Sequence, residues 1–184
     1  MTAPRRTLLV VWHSRTGAAR QLANAATNAA RDSLRDQPPD PDMRHVGTSD
    51  TDIGIDCVHA RRVDAQRVCA ASAYLFVAPE NLASLSGVMK DFFDRTYYGV
   101  LDRVAGRSYA VIIAAGSDGQ GAARQVERIA TGWRLKAAAP ALIVINGAQT
   151  AEAILAPKRV PPADLARAAE IGAAMAQGLA MGIF

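Results

Sequence analysis

Only two cysteines occur among 184 residues, Cys57 and Cys69, and they lack Cys-x-x-Cys spacing. With no histidine cluster nearby, the pattern argues against a metal site and a disulfide framework. It reads as two buried thiols in a reducing compartment. Long apolar runs are missing too. The stretch from Leu165 to Phe184 is interrupted by Arg167, Glu170 and Gln177, so it reads as an amphipathic helix and not a membrane span. Thr7 to Trp12 is too short for a signal-peptide core and no cleavage-like site follows, which sets the expectation of a cytoplasmic protein. No basic run interleaved with aromatics appears, so the formal charge of +4 suggests solubility and anionic ligands but no nucleic acid. The Walker pattern, the G-x-G-x-x-G dinucleotide turn and the G-x-S-x-G elbow are all absent, as are internal repeats.

What is present is a globular composition, half apolar and about a fifth charged, of a length that suits a single domain over residues 1–184. Thr7 to Trp12 is a short apolar run suited to a strand buried on both faces. After His13-Ser14-Arg15-Thr16-Gly17 the period changes: Ala18, Leu22, Ala25, Ala26, Ala29 and Ala30 make a helical stripe. The Pro- and Asp-rich text from Arg35 to Asp52 reads as a surface connection, with a short strand near Met43 to Val46. A strand is expected within Ile53 to Val63, then a short helix capped by Asp64. Ala73 to Ala78, Tyr109 to Ala115 and Leu142 to Ile145 are further strands. Helices follow them from Ser86, Ala122 and Ala163, and Gly172 in the last is expected to permit close approach to the sheet.

Strands alternating with helices give an α/β three-layer sandwich: a five-stranded parallel sheet in order 2-1-3-4-5, covered on both faces. A six-stranded dinucleotide fold would need roughly 250 residues and a second βαβαβ half. In such a sheet the ligand sits beyond the carboxyl ends of the strands, where strand order reverses. Topology therefore selects three segments: His13 to Ala19, Pro79 to Ser84, and Gly116 to Gly121.

In the first, Ser14 and Thr16 flank Arg15, Gly17 allows close backbone approach, and a helix starts at Ala18. Converging N–H groups and the helix dipole suit a phosphate there, with an ordinary Ser- or Thr-capped turn as the alternative. The second offers Glu80 and Asn81 behind Pro79, able to read the polar edge of a heterocycle or to cap a helix. The third, Gly116-Ser117-Asp118-Gly119-Gln120-Gly121, can expose N–H groups to a flat carbonyl-rich ring, or be a flexible turn. His13 either donates to a bound redox group or packs at a strand end. No catalytic residue is assigned.

Ser14-Arg15-Thr16-Gly17 resembles the Ser/Thr-x-Thr-Gly-x-Thr FMN-phosphate loop of flavodoxins. Pro79-Glu80-Asn81-Leu82, followed by Ser86-Gly87-Val88-Met89-Lys90-Asp91-Phe92-Phe93-Asp94-Arg95, is similar to the segment after the third strand in NAD(P)H-dependent FMN and quinone reductases. The resemblance spans about Leu8 to Ala148 and implies a flavodoxin-like fold. It also implies that Ser14, Thr16, Gly17 and Ala18 hold the phosphate, with Arg15 beside it. Pro79, Glu80, Asn81 and Leu82 would flank the ring, and Gly116, Ser117, Asp118, Gly119 and Gly121 would contact its pyrimidine side.

The implied function is an FMN-binding oxidoreductase that takes electrons from NAD(P)H as co-substrate. Its partner would be a small-molecule electron acceptor, a quinone, a flavin or similar, and relatives make a homo-oligomer one expectation. The alternative is a flavodoxin-type electron-transfer protein without its own NAD(P)H site. Two departures bear on the choice. Ala19 stands where the flavodoxin loop has its last Thr, and neither the second nor the third segment carries a Trp or Tyr to cover the ring. An uncovered ring face and a basic chain favour the enzyme.

Overall fold

A computed structural model describes residues 6–35 and 53–183. Beyond Arg35, the proline-rich connection and its expected strand near Met43 to Val46 lie outside the described residues. The strands are β1 (Thr7–Trp12), β2 (Gly54–His59), β3 (Ala73–Asn81), β4 (Ser84–Leu85), β5 (Ser108–Ala115), β6 (Lys136–Ala137) and β7 (Leu142–Ile145). The helices are α1 (Ala18–Arg35), α2 (Ala65–Ala70), α3 (Gly87–Val100), α4 (Gln120–Gly132), α5 (Ala151–Leu155) and α6 (Pro162–Ala180).

The sheet runs β2-β1-β3-β5-β6, with β7 also paired to β5. Every pair is parallel except β3–β4. The order is that of a flavodoxin-like sheet, but the strand count differs from five for two local reasons. The last position is split: β6 and β7 pair with opposite ends of β5, and Pro140 between them has no N–H to donate to the ladder. β4 is an antiparallel return of two residues, too short to leave a periodic signal.

Alternation along the central strands sends side chains to two layers. Leu8, Val10, Leu75, Val77 and Ile112 pack with α1 and α6. Leu9, Val11, Phe76, Val111 and Ile113 pack with α3 and α4, around the buried rings of Phe92, Phe93 and Trp133. Helix α1 buries Leu22, Ala23, Ala26, Thr27 and Ala30, whereas Ala25 and Ala29 are only half-buried. The stripe therefore lies slightly to one side of the expected one. Thr27 is accommodated because its hydroxyl donates to the Ala23 carbonyl at 2.7 Å.

Gly172 permits close approach to α1, not to the sheet. A Cβ there would stand 2.0 Å from the Ala26 carbonyl oxygen, so only glycine lets these two long helices pack this tightly. Asp64 caps α2 as expected, accepting from the Arg67 amide at 2.8 Å. Cys57 and Cys69 are free thiols and half-buried, more exposed than expected because both lie at the margin of the packed layers. Among the described residues no helix is long and apolar enough to cross a membrane.

Candidate functional site

Parallel strands put all their carboxyl ends on one edge, and the loops that leave β1, β3, β5 and β7 enclose a cleft there. It is a shallow, solvent-open cleft with a cavity volume of about 70 Å³. Ser14, Arg15, Thr16 and Ala18 form one end, Pro79, Glu80 and Asn81 a side, and Ala114 to Gly116 the floor beyond β5. Among the described residues no aromatic side chain lines it.

The turn after β1 is held by its own groups. Ser14 Oγ accepts from the Gly17 amide at 3.0 Å, which is the hydroxyl cap foreseen as the alternative for this segment. Helix α1 begins at once, and its first-turn amides have no partner inside the helix. Gly17 itself faces an adjoining depression with Trp12, Arg20, His59, Leu155 and Pro157.

Residues Pro79 to Leu85 form a two-stranded hairpin in which Asn81 pairs with Ser84. Its two tip residues, Leu82 and Ala83, have φ of 53° and 56°. That conformation turns Leu82 wholly into solvent, so it does not line the cleft as expected. Glu80 lines the cleft, but its carboxylate caps α4: Oε2 accepts from the Gly119 amide at 2.7 Å and Oε1 from the Ala122 amide at 3.2 Å. Gln125 Oε1 completes the staple by accepting from the Leu85 amide at 2.8 Å. Gly121 is needed for this closeness, because a Cβ there would be 2.1 Å from the Ala83 carbonyl oxygen. Of the third segment only Gly116 lines the cleft. Ser117 and Asp118 are exposed beyond it, the Gly119 amide is taken by Glu80 while its α-carbon faces Ile143 and Ala115, and Gly121 abuts the hairpin at Ala83.

His13 is not among the lining residues. Its Nδ1 lies 2.9 Å from Oγ of the fully buried Ser86, and its ring stands 5.7 Å from that of His59. Burial lowers the His13 pKa below the ordinary 6.5, and the nearby charges of His59 and Arg61 add to the effect. The imidazole is neutral at pH 7, a hydrogen-bonding group and not a cation.

The sequence reading missed Asn146, Ala148, Ile154 and Lys158, which close the cleft from the chain after β7. The rule that selected the other loops could have found this one, since Leu142–Ile145 ends on the same edge.

The sequence profile of the NADPH-dependent FMN reductase family matches residues 13–149. The chain belongs to that family. Membership makes it a flavin-binding oxidoreductase, with FMN the cofactor that goes with the family. No curated protein matches the chain. Solved structures with the same fold include a flavodoxin from the domain Archaea, at 13% identity and TM-score 0.67, covering 94% of this chain and 98% of that one. Flavodoxin 1 from Bacillus cereus is 15% identical with TM-score 0.67, covering 93% and 97% of the two chains. The flavodoxin, WrbA-like protein from Agrobacterium tumefaciens is 15% identical with TM-score 0.60, covering 96% and 98%. At such identities the likeness speaks for the fold alone. In this member of the FMN reductase family the cleft joins hydroxyls of the turn after β1 to the base of a stapled hairpin.

Proposed function

We propose that this protein binds FMN in the cleft and uses it to carry electrons from NADPH or NADH to a small acceptor such as a quinone or a free flavin. The observation that carries the reading is the meeting of the Ser14–Ala18 turn, the Pro79–Asn81 edge and Gly116 around one cleft. That donor set fits the group. The Ser14 and Thr16 hydroxyls and the first amides of α1 suit a phosphate dianion. The flat, largely backbone surface at Pro79, Asn81, Ala114, Ala115 and Gly116 suits a planar ring. FMN, when bound, supplies the redox chemistry by accepting a hydride and giving up two electrons.

The chain's own work is to bind, orient and shield. The turn after β1 fixes the phosphate end, and the Glu80–Gly119 staple keeps two loops at a set separation along the ring. Because no aromatic among the described residues lines the cleft, one ring face is left open to a second substrate in this reading. This supports an enzyme over an electron shuttle, which needs no nicotinamide to approach. Mixing FMN-loaded protein with NADPH or NADH and following flavin absorbance tests the reading. Rapid bleaching, with turnover on adding a quinone, is expected. Bleaching by neither nucleotide would leave the shuttle, and failure of the protein to bind FMN would remove both.

A further inference from the structure

The segment after α5 is fastened across the turn that follows β1. The Lys158 amide donates to the Thr16 carbonyl at 2.7 Å. Gln21, in the first turns of α1, holds the segment on both sides. Its Nε2 donates to the carbonyls of Gly17, at 3.1 Å, and Lys158, at 2.7 Å. Its Oε1 accepts from the Val160 amide at 3.2 Å. One side-chain amide thus uses its acceptor and donors to tie residues 158–160 to the turn, more than 130 residues away in sequence.

This strap places Lys158 in the lining of the cleft with Ser14, Arg15 and Thr16. Its ammonium donates to the carbonyls of Ala153, Ile154 and Ala156, at 2.5, 3.0 and 2.6 Å. These bonds take up all three N–H donors, but carbonyl dipoles do not cancel the charge, so a phosphate oxygen can replace one carbonyl as the acceptor. Among the described residues no carboxylate comes within ion-pair distance of Lys158. A half-buried ammonium without a carboxylate partner among the described residues is therefore carried by a strap that lines the cleft together with Ser14, Arg15 and Thr16. The same end lacks a hydroxyl at Ala19, which is fully buried.

We infer that Lys158, carried by the strap, is a cationic ligand for the FMN phosphate that exchanges one of its α5 carbonyl acceptors for a phosphate oxygen, and that Gln21 is the positioning residue that holds the strap there. The inference rests on the FMN reading above and adds to it the source of the compensating charge. A charge-assisted contact to a dianion raises affinity, and a partly exposed one is weakened by salt.

The test compares FMN and riboflavin, which share a ring and differ by the phosphate. Lys158→Met keeps the length and removes the charge. It should bind FMN about tenfold more weakly or worse, bind riboflavin as the parent does, and show a flatter dependence of FMN affinity on ionic strength. Lys158→Arg should retain FMN binding within a few-fold. Gln21→Leu should weaken FMN selectively, and should add little in the Lys158→Met background because it acts through Lys158. Equal FMN affinity in parent and Lys158→Met, or an equal loss for both ligands, overturns the inference while leaving the FMN reading intact. If the parent binds neither ligand, the FMN reading itself fails and this inference goes with it.

Discussion

Glu80 and Gly119 lie 39 residues apart, yet the carboxylate of one accepts the amide of the other at 2.7 Å. The contact joins the carboxyl end of β3 to the loop after β5 and caps α4, whose N-cap, Gly119, has no side chain to do it. The hairpin at the end of β3 and the loop after β5 are therefore one mechanical unit.

Glu80→Ala leaves the Gly119 and Ala122 amides without their acceptor at a helix N-terminus. The expected cost is about 1–2 kcal/mol of stability, read from urea unfolding. Affinities for FMN and riboflavin should fall together, because the spacing along the ring is lost and the phosphate turn is untouched. A loss confined to FMN would contradict this role.

Thr16→Ala should behave in the opposite way. Removing one hydroxyl donor to a phosphate dianion costs roughly 1.5–3 kcal/mol, or about ten- to over a hundredfold in FMN affinity. Riboflavin affinity should hardly move. Paired titrations by fluorescence quenching decide it, and equal effects on the two ligands would mean that the phosphate turn is misplaced.

The histidine pair makes stability fall in mild acid. Burial, with His59 and Arg61 nearby, holds the His13 pKa below 6.5, and burial with Arg61 and Arg62 does the same for His59. As pH drops through about 6.5 the unfolded chain takes up protons that the folded chain refuses. Unfolding free energy should decrease from there until the lowered folded values are passed. His13→Gln should show a shallower decrease between about pH 7.5 and 5.5, measured by guanidinium unfolding. Parallel curves for parent and variant would refute the assignment.

The hairpin tip carries strain that glycine would relieve. Positive φ at both central residues of a two-residue hairpin suits Asn-Gly, and here Leu82 and Ala83 occupy those positions. Ala83→Gly should raise stability by about 0.5–1 kcal/mol, the left-handed penalty exceeding the extra chain entropy. That corresponds to an upward shift in Tm of roughly 2 °C. A lowered Tm would mean that the tip is better served by a side chain.

Strand identity and order were legible from sequence because burial on both faces demands continuous apolar runs, as in Ala73 to Ala78 and Tyr109 to Ala115. The turn from Ser14 to Gly17 was legible because its chemistry is local: hydroxyls, a glycine and a helix start lie next to one another in the chain. Two-residue strands such as β4 and β6 were not, since pairing alone defines them and two residues carry no period.

By itself, then, the sequence determined the parallel α/β order and the hydroxyl-capped turn after β1, which depend on near neighbours and on hydrophobic period. Only the tertiary structure decided what individual residues at the strand ends and packing faces do. Glu80 caps a helix 39 residues on, Leu82 points into water, and Gly172 meets the Ala26 carbonyl and not the sheet. Lys158 reaches the turn after β1 across 142 residues. Such roles are set by hydrogen bonds and close contacts between distant segments, whose geometry exists only once the sheet has aligned the strand ends.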